Sequence, residues 1–401
     1  MLSDKKRRVN VCTIGHVDHG KTTLTSAITK VATIRHGGSG KFLEYQDIDR
    51  APEEKQRGIT INAAHVPYET QKSSVIHVDC PGHADYVKNM IVGSTQVDFA
   101  VLVIDVFKGI QPQTKEHILL IDRVGVPSVC VFLNKMDLVK EEDMLIVDLI
   151  TEEIQELLNK NGYKDFKIIQ GSALLAINGD QGEYGESAID QVLDLIDSCE
   201  TRLREIDQPF LMQIEDTCTI TGRGTVATGR VVRGKATKDM KIEIVGTKGY
   251  KTETVITGVQ MFRKTVDEIC PGDDAGVLVR GVDRKDIGRG FLLVAPNSVK
   301  VAKKVVCTLY VLSKAEGGRS TGFSLAYAPQ IFIRSLYITC SFTKLGQSSS
   351  VDDAIDIALP GDQIQAEVEF IYTAPVEEGL EVIMREGNIT IACGRITSII
   401  S

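Results

Sequence analysis

The chain has no closely spaced cysteine pair, no apolar run as long as a membrane span and no surplus of basic residues. Its nine cysteines are odd in number and scattered singly. That pattern argues against a disulfide framework or a zinc ribbon and for reduced thiols in an intracellular compartment. A bilayer-crossing helix needs about 20 consecutive apolar residues, and without such a stretch no membrane partner is expected. A formal net charge of −8 excludes attraction to nucleic acid by bulk charge, so an RNA partner has to meet a local basic surface. Lys5, Lys6, Arg7 and Arg8 run straight into a strand-like segment, with neither the apolar core of a signal peptide nor a full transit peptide in view.

What is present suits a soluble globular protein: 401 residues, 43% hydrophobic and 25% charged. At about 100–200 residues per domain, two to four domains are expected. From Val9 to about Ser198, short apolar β-branched runs alternate with helical patterns. The strand candidates are Val9–Ile14, Val75–Val78, Ala100–Val106, Val129–Leu133 and Lys167–Gln170, nearly continuous apolar runs of the kind that parallel strands covered on both faces require. Between them, Ile146, Leu149, Ile150, Ile154, Leu157 and Leu158 recur at helical spacing, with Gly162 just beyond as a stop signal. These features describe a doubly wound α/β domain. After Cys199–Gln208 the texture changes: glycine, threonine and valine rise and short alternating runs such as Gly224–Val231 and Lys241–Val245 appear. A second break near Pro296–Lys300 precedes further strand-rich sequence from Lys304–Leu312 through Gln363–Ile371 to Ile389–Ile400. The expected architecture is a P-loop α/β domain over 1–200 followed by two β-barrel domains, 208–297 and 298–401.

The first domain carries four ordered motifs. Gly15-His16-Val17-Asp18-His19-Gly20-Lys21-Thr22 fits GxxxxGK[ST] between a strand and a helical segment. In that setting the backbone N–H groups of Asp18, His19, Gly20 and Lys21, with Thr22 and Thr23, wrap phosphates, Lys21 reaches the β/γ oxygens and the Thr22 hydroxyl binds Mg²⁺. Asp79-Cys80-Pro81-Gly82-His83 ends the strand Val75–Val78, where Asp79 can hold the metal through water and the Gly82 N–H can sense the γ-phosphate. Asn134-Lys135-Met136-Asp137 places a carboxylate to accept from N1–H and the 2-amino group of guanine, which adenine cannot supply together. Gly171-Ser172-Ala173-Leu174 would cover the base. All four sit at strand C-terminal ends, where ligands of open α/β sheets bind. The nucleotide is therefore expected to be GTP or GDP with Mg²⁺.

These residues resemble the elongation factor Tu group of translational GTPases. The likeness runs over nearly the whole chain, through GHVDHGKTTLT, APEEKQRGITIN, VDCPGHADYVKNMI, PQTKEHILL, VFLNKMD, GSAL, GRGTV, TGVQMFRK and EGGR, dense in the first domain and thinner in the third. The resemblance implies a GTPase that carries aminoacyl-tRNA to the ribosomal A site, acts as a monomer and is recharged by a guanine-nucleotide exchange factor. It implies that Thr60 joins the Mg²⁺ shell when the γ-phosphate is present, that His83 positions the attacking water, and that Val17 and Ile59 form an apolar gate. On the RNA side it implies that Tyr86, Lys88 and Asn89 lie near the acceptor end, that Arg289 meets the 5′ end and that His65 packs beside the esterified amino acid. His117 resembles a contact for the exchange factor, with an ordinary helix-surface histidine as the alternative.

Departures from the family concentrate on the RNA side. Cys218 stands where the family usually has phenylalanine, and Asp274 where it usually has asparagine. Loss of an aromatic wall reshapes a pocket, while an added carboxylate favours a cationic α-amino group or a hydrogen-bonding side chain; repacked neutral drift is the other reading. In the third domain, Gly318-Arg319-Ser320-Thr321-Gly322-Phe323-Ser324, Tyr327-Ala328-Pro329-Gln330-Ile331 and Arg385-Glu386-Gly387-Asn388-Ile389-Thr390 lack cationic and aromatic residues that the family uses on the tRNA T arm, which predicts weaker contact there. A specialised paralogue serving a subset of aminoacyl-tRNAs fits these changes, as does rapid drift. The GTPase subunit of a sulfate-activating complex shares the phosphate loop and NKMD but is not expected to keep His65, Tyr86, Lys88 and Asn89. A non-catalytic paralogue is opposed by the intact Lys21, Thr22, Thr60 and His83, and selenocysteine-specific and initiation factors are further rivals. The expected compartment is the bacterial cytoplasm, with the mitochondrial matrix as the alternative.

Overall fold

The computed structural model describes residues 6–36, 64–81, 97–220, 222–262, 264–347 and 350–400. The chain forms two compact units, Met1–Arg202 and Leu203–Ser401. In the first, six strands lie in the order β2-β3-β1-β4-β5-β6: β1 Arg7–Ile14, β2 Ala64–Glu69, β3 Ser73–Asp79, β4 Phe99–Asp105, β5 Ser128–Asn134 and β6 Lys167–Gln170. All pairings are parallel except β2 with β3. Every residue of β4 is buried, as a central strand covered on both faces demands. The helices are α1 Lys21–His36, α2 Pro112–Arg123, α3 Met144–Lys160, α4 Ala173–Ile177 and α5 Glu186–Ser198. Because β1 lies between β3 and β4, the strand order reverses on either side of it, and the loop leaving β1 opens into the crevice at that switch point.

Two details differ from the sequence expectation. Strand β2 was not expected; Pro67 stands within it, yet the strand continues through it with Val66 and Tyr68 buried, and proline is tolerated because β2 is the sheet edge. On α3 the packed face is Val147, Ile154 and Leu158, whereas Ile146 and Leu149 of the expected apolar stripe are 41% and 57% exposed. Gly162 does follow α3 at φ +87, a conformation that suits glycine. No described helix is long and apolar enough to cross a membrane.

The second unit contains two closed rings of six strands. One runs Lys241–Val245, Leu292–Val294, Leu211–Ile220, Gly224–Arg233, Asp274–Val279 and Lys251–Met261, whose last strand pairs back with the first. The other runs Gln330–Ile333, Glu381–Glu386, Ile389–Ile399, Lys300–Val311, Gln363–Val376 and Leu336–Gln347, closed in the same way. Burial alternates along these strands, so that Met212, Ile214, Ala227, Val231, Ile256 and Val277 fill one ring and Val305, Leu309, Ile338, Phe342, Val368 and Phe370 the other. Closure removes the free edges that an open sheet would present.

An ion cluster joins the two rings. Glu377 accepts from Arg233 NH2 at 2.6 Å and from Arg334, which occupies a two-residue hairpin turn at φ +53. Nearby, Ser335 Oγ donates to the Ile214 carbonyl at 3.2 Å, and a Cβ on Gly290 would sit 2.9 Å from Leu336 Cδ1. Burial pushes the Glu377 carboxyl up, but hydrogen bonds and charge from both arginines outweigh it and hold the group below its ordinary value. Its stabilisation is therefore complete above the ordinary carboxylate range and is lost as pH falls through the depressed value. Glu377→Ala leaves Arg334 with an uncompensated buried charge and is expected to destabilise this unit by about 3 kcal/mol; a calorimetric transition at the wild-type temperature would contradict the role of the cluster.

Candidate functional site

The phosphate loop spans the gap between β1 and α1, and its two flanking glycines are imposed by backbone geometry. Gly15 has φ +139 and a Cβ there would lie 2.4 Å from the Val103 carbonyl oxygen; Gly20 has φ +93 and a Cβ would lie 2.3 Å from Asn134 Nδ2. Neither position admits a side chain. Lys21, almost fully buried, folds back so that Nζ donates to the His16 carbonyl at 2.8 Å. Asp18 is exposed at φ +62 and Val17 half-buried, while Thr23 is half-buried on the first turn of α1.

At the end of β3 the fully buried Asp79 collects three hydroxyls. Thr22 Oγ1 donates to its Oδ2 at 2.6 Å, and Thr13 and Thr25 donate to Oδ1 at 2.6 and 3.3 Å. Burial raises the Asp79 pKa more than these hydrogen bonds and the Lys21 charge lower it. A carboxylate and a hydroxyl in direct contact beside a phosphate loop form a hard-oxygen donor set, and that chemistry fits Mg²⁺. The residues that would hold it here are Thr22 and Asp79.

The base-side motif is tied to the same loop. Asn134, at the end of β5, donates through Nδ2 to the His19 carbonyl at 2.9 Å and accepts at Oδ1 from Ala173 N at 3.0 Å. Lys135, at φ +70, donates to the Asp18 carbonyl at 3.0 Å and pairs with Asp105 at 2.7 Å. Burial pushes the Asp105 carboxyl up, but the Lys135 hydrogen bond and charge hold it below its ordinary value. Asp137 is exposed in the 3₁₀ turn Met136–Leu138. Ser172 is buried and caps α4 by accepting from Leu175 N at 3.2 Å; Ala173 is buried and Leu174 is 55% exposed. The structure thus brings Asp18 to Thr23, Asp79, Asn134 to Asp137 and Ser172 to Leu174 to one rim of the sheet. Thr60, Ile59, Gly82, His83, Tyr86, Lys88 and Asn89 lie outside the described residues.

Two supporting side chains were not assigned this role from sequence. His117 on α2 is fully buried, which overturns the helix-surface alternative, and its Nδ1 accepts from Gly15 N at 3.0 Å. One turn earlier Gln113 Oε1 accepts from Val17 N at 3.3 Å. Positions separated by four residues share a helix face, so α2 grips the phosphate loop at two points. His19 is buried beside His16, and burial lowers its pKa to about 4, leaving it neutral at physiological pH.

In the second unit the strand register sets Cys218 beside Val226 and Val226 beside Leu278, and sets Gln213 beside Arg230 and Arg230 beside Asp274. Cys218 is the one exposed thiol of the nine. Asp274 is not a lone charge: Arg230, 1% exposed, donates to it through Nε at 2.8 Å and NH2 at 2.9 Å. Arg289 is exposed in the turn before Leu292–Val294, and His65 is half-buried on β2 in the first unit. In the second barrel Arg319 stacks 4.6 Å over Tyr327, and both donate to Glu386, at 2.6 and 2.7 Å. Arg385 is buried and donates to Thr390.

Removing the His117 acceptor leaves the Gly15 N–H unpaired in a buried loop, a loss of about 1–3 kcal/mol. His117→Ala is expected to weaken guanine-nucleotide affinity about tenfold or more with the faster dissociation that accounts for it; wild-type dissociation kinetics would remove α2 from the binding loop's support.

Comparison with protein families matches each part of this arrangement in turn. The elongation factor Tu GTP binding domain matches residues 6–202, domain 2 of the same family matches 224–294, and the elongation factor Tu C-terminal domain matches 298–400. With a phosphate loop, a buried aspartate hydrogen-bonded to that loop's Thr22 and two closed barrels following in that order, the chain belongs to the elongation factor Tu family of translational GTPases.

Proposed function

We propose that this chain, organised as a GTP-binding domain over 1–200 and barrels over 208–297 and 298–401, binds aminoacyl-tRNA in its GTP form. It delivers the RNA to the ribosomal A site and releases it when GTP is hydrolysed. The observation that supports this reading is the Thr22–Asp79 contact, which links the phosphate loop to the strand whose continuation carries Gly82 and His83. Bound Mg²⁺ would supply charge neutralisation on the β and γ oxygens. Lys21 neutralises the same oxygens, and the N–H groups from Asp18 to Thr23 orient them. Thr60 and Gly82 report the γ-phosphate, His83 orients the attacking water, and Val17 with Ile59 keeps that water out until the ribosome engages. Asn134, Lys135 and Asp137 select guanine, with Ser172, Ala173 and Leu174 along the base. Cys218, Asp274, Arg289, His65, Tyr86, Lys88 and Asn89 meet the RNA and its esterified amino acid. The chain acts as a monomer with an exchange factor, in a bacterial cytoplasm or alternatively a mitochondrial matrix.

A second reading, service of a restricted set of aminoacyl-tRNAs, draws on Cys218, on the Arg230-clamped Asp274 and on Arg319, which Glu386 already engages. A neutralised carboxylate and an occupied arginine both offer less to an incoming ligand than isolated charges do.

Asp137→Asn replaces an acceptor by a donor at the purine 2-position. Affinity for GTP is expected to fall by about 10³–10⁴, and xanthosine triphosphate, with a carbonyl there, to be preferred by the variant. Retention of GTP binding would remove Asp137 from base selection. Filter binding of a panel of aminoacyl-tRNAs should show at least about 100-fold tighter binding with GTP than with GDP. Equal retention in both states would defeat the carrier reading, and uniform affinity across the panel would defeat the restricted one.

A further inference from the structure

Strand β4 is apolar from Phe99 to Ile104, and its last residue, Asp105, is a carboxylate buried with them. A buried carboxylate is retained where it is paired and hydrogen-bonded, and both oxygens of this one are taken. Oδ2 meets Lys135 Nζ at 2.7 Å, and Oδ1 accepts from Phe107 N at 2.9 Å. The Asp105 carbonyl also accepts from Lys108 N at 3.1 Å and Gly109 N at 2.9 Å, bonds that close the turn leading from β4 to α2. None of the four nucleotide motifs contains Asp105. Its place follows from the sheet: in the parallel pairing of β4 with β5 it stands opposite Asn134, the residue before Lys135.

Lys135 sits in the left-handed region at φ +70, a conformation that a non-glycine residue keeps only where its surroundings hold it. From there one ammonium reaches two anchors, the Asp18 carbonyl of the phosphate loop at 3.0 Å and the Asp105 carboxylate. A lysine side chain that is 33% exposed has many rotamers to lose, and one bond to a neutral carbonyl restrains them weakly. The charge-assisted bond to Asp105 is the stronger restraint, and it comes from a side chain only 5% exposed at a strand end. Burial works against the Asp105 charge, yet the Lys135 bond holds the carboxyl below its ordinary value, so the pair is ionic at neutral pH. Three segments therefore meet at this pair: the phosphate loop at Asp18, the base-side motif at Lys135 and the turn that precedes Gln113 and His117.

We propose that Asp105 is a positioning residue for guanine-nucleotide retention: it pins the Lys135 ammonium against the Asp18 carbonyl and so straps the phosphate loop to the base-side motif. The test uses the full chain loaded with GDP that carries a fluorescent methylanthraniloyl group on its ribose, chased with excess unlabelled GDP. Asp105→Asn keeps an acceptor for Phe107 N but withdraws the charge from Lys135. Its release of GDP is expected to be about tenfold faster than wild type, with an unchanged circular dichroism spectrum. A carboxylate that merely cancelled the lysine charge would act with the opposite sign, because the freed ammonium would attract the phosphates and slow release. Slower release in Asp105→Asn therefore overturns the proposal. So does a wild-type rate in Asp105→Asn beside fast release in Asp105→Ala, which would leave only the Phe107 bond as the role of the side chain. In a Lys135→Ala background, where the strap is already gone, adding Asp105→Asn is expected to change the rate by less than about twofold; a further tenfold increase there also overturns it. Should Asp105→Asn not fold, Asp105→Ser is read the same way. The inference rests on guanine-nucleotide binding by this chain: a wild-type protein that retains no GDP would defeat that reading and this one together, whereas wild-type retention with unaltered release in the variant defeats this one alone.

Discussion

The contact between Thr22 and Asp79 is the constraint on which the nucleotide domain is built. It joins the first turn of α1 to the last residue of β3 and puts a carboxylate in the interior, where it survives only because three threonine hydroxyls donate to it. The strand order around β1, the glycines at both ends of the phosphate loop and the burial of Thr13 and Thr25 all serve to bring those two side chains together. The arrangement satisfies both oxygens of Asp79 from within the protein, and Thr22 and Asp79 are the residues that would hold a bound Mg²⁺.

Around that contact the domain distributes support to the loop's back and sides. Gln113 and His117 take the N–H groups of Val17 and Gly15, Asn134 takes the loop at His19, and Lys135 takes it at Asp18. Most of these partners are themselves placed by strand ends or by one helix face, so the rigid sheet, rather than the loop, sets the shape of the phosphate cradle. The barrels use another strategy: closed rings with alternating burial, joined by a shared carboxylate between two arginines.

Legibility from sequence followed the range of the interactions. The phosphate loop, β6 and the strand Lys241–Val245 were readable because each depends on neighbours in the chain: glycine at fixed offsets, or an uninterrupted apolar run. Strand β2 was not, because Pro67 is a strand-breaking signal everywhere except at an edge, and edge position is a property of the sheet. The exposed Ile146 and Leu149 show the same limit, since helical spacing gives a stripe and tertiary packing chooses which part of it is covered. His117 and Arg230 were missed as partners for a related reason. Each acts on a residue that is remote in sequence, Gly15 for one and Asp274 for the other.

Asn134 spends both ends of one amide on the protein itself, holding the phosphate-side backbone with its nitrogen and the base-side backbone with its oxygen. The phosphate loop and the first residue of α4 are thereby mechanically wired to one side chain. A substitution at that position therefore disturbs both segments at once, whereas one at Gln113 or His117 on α2 reaches the loop alone.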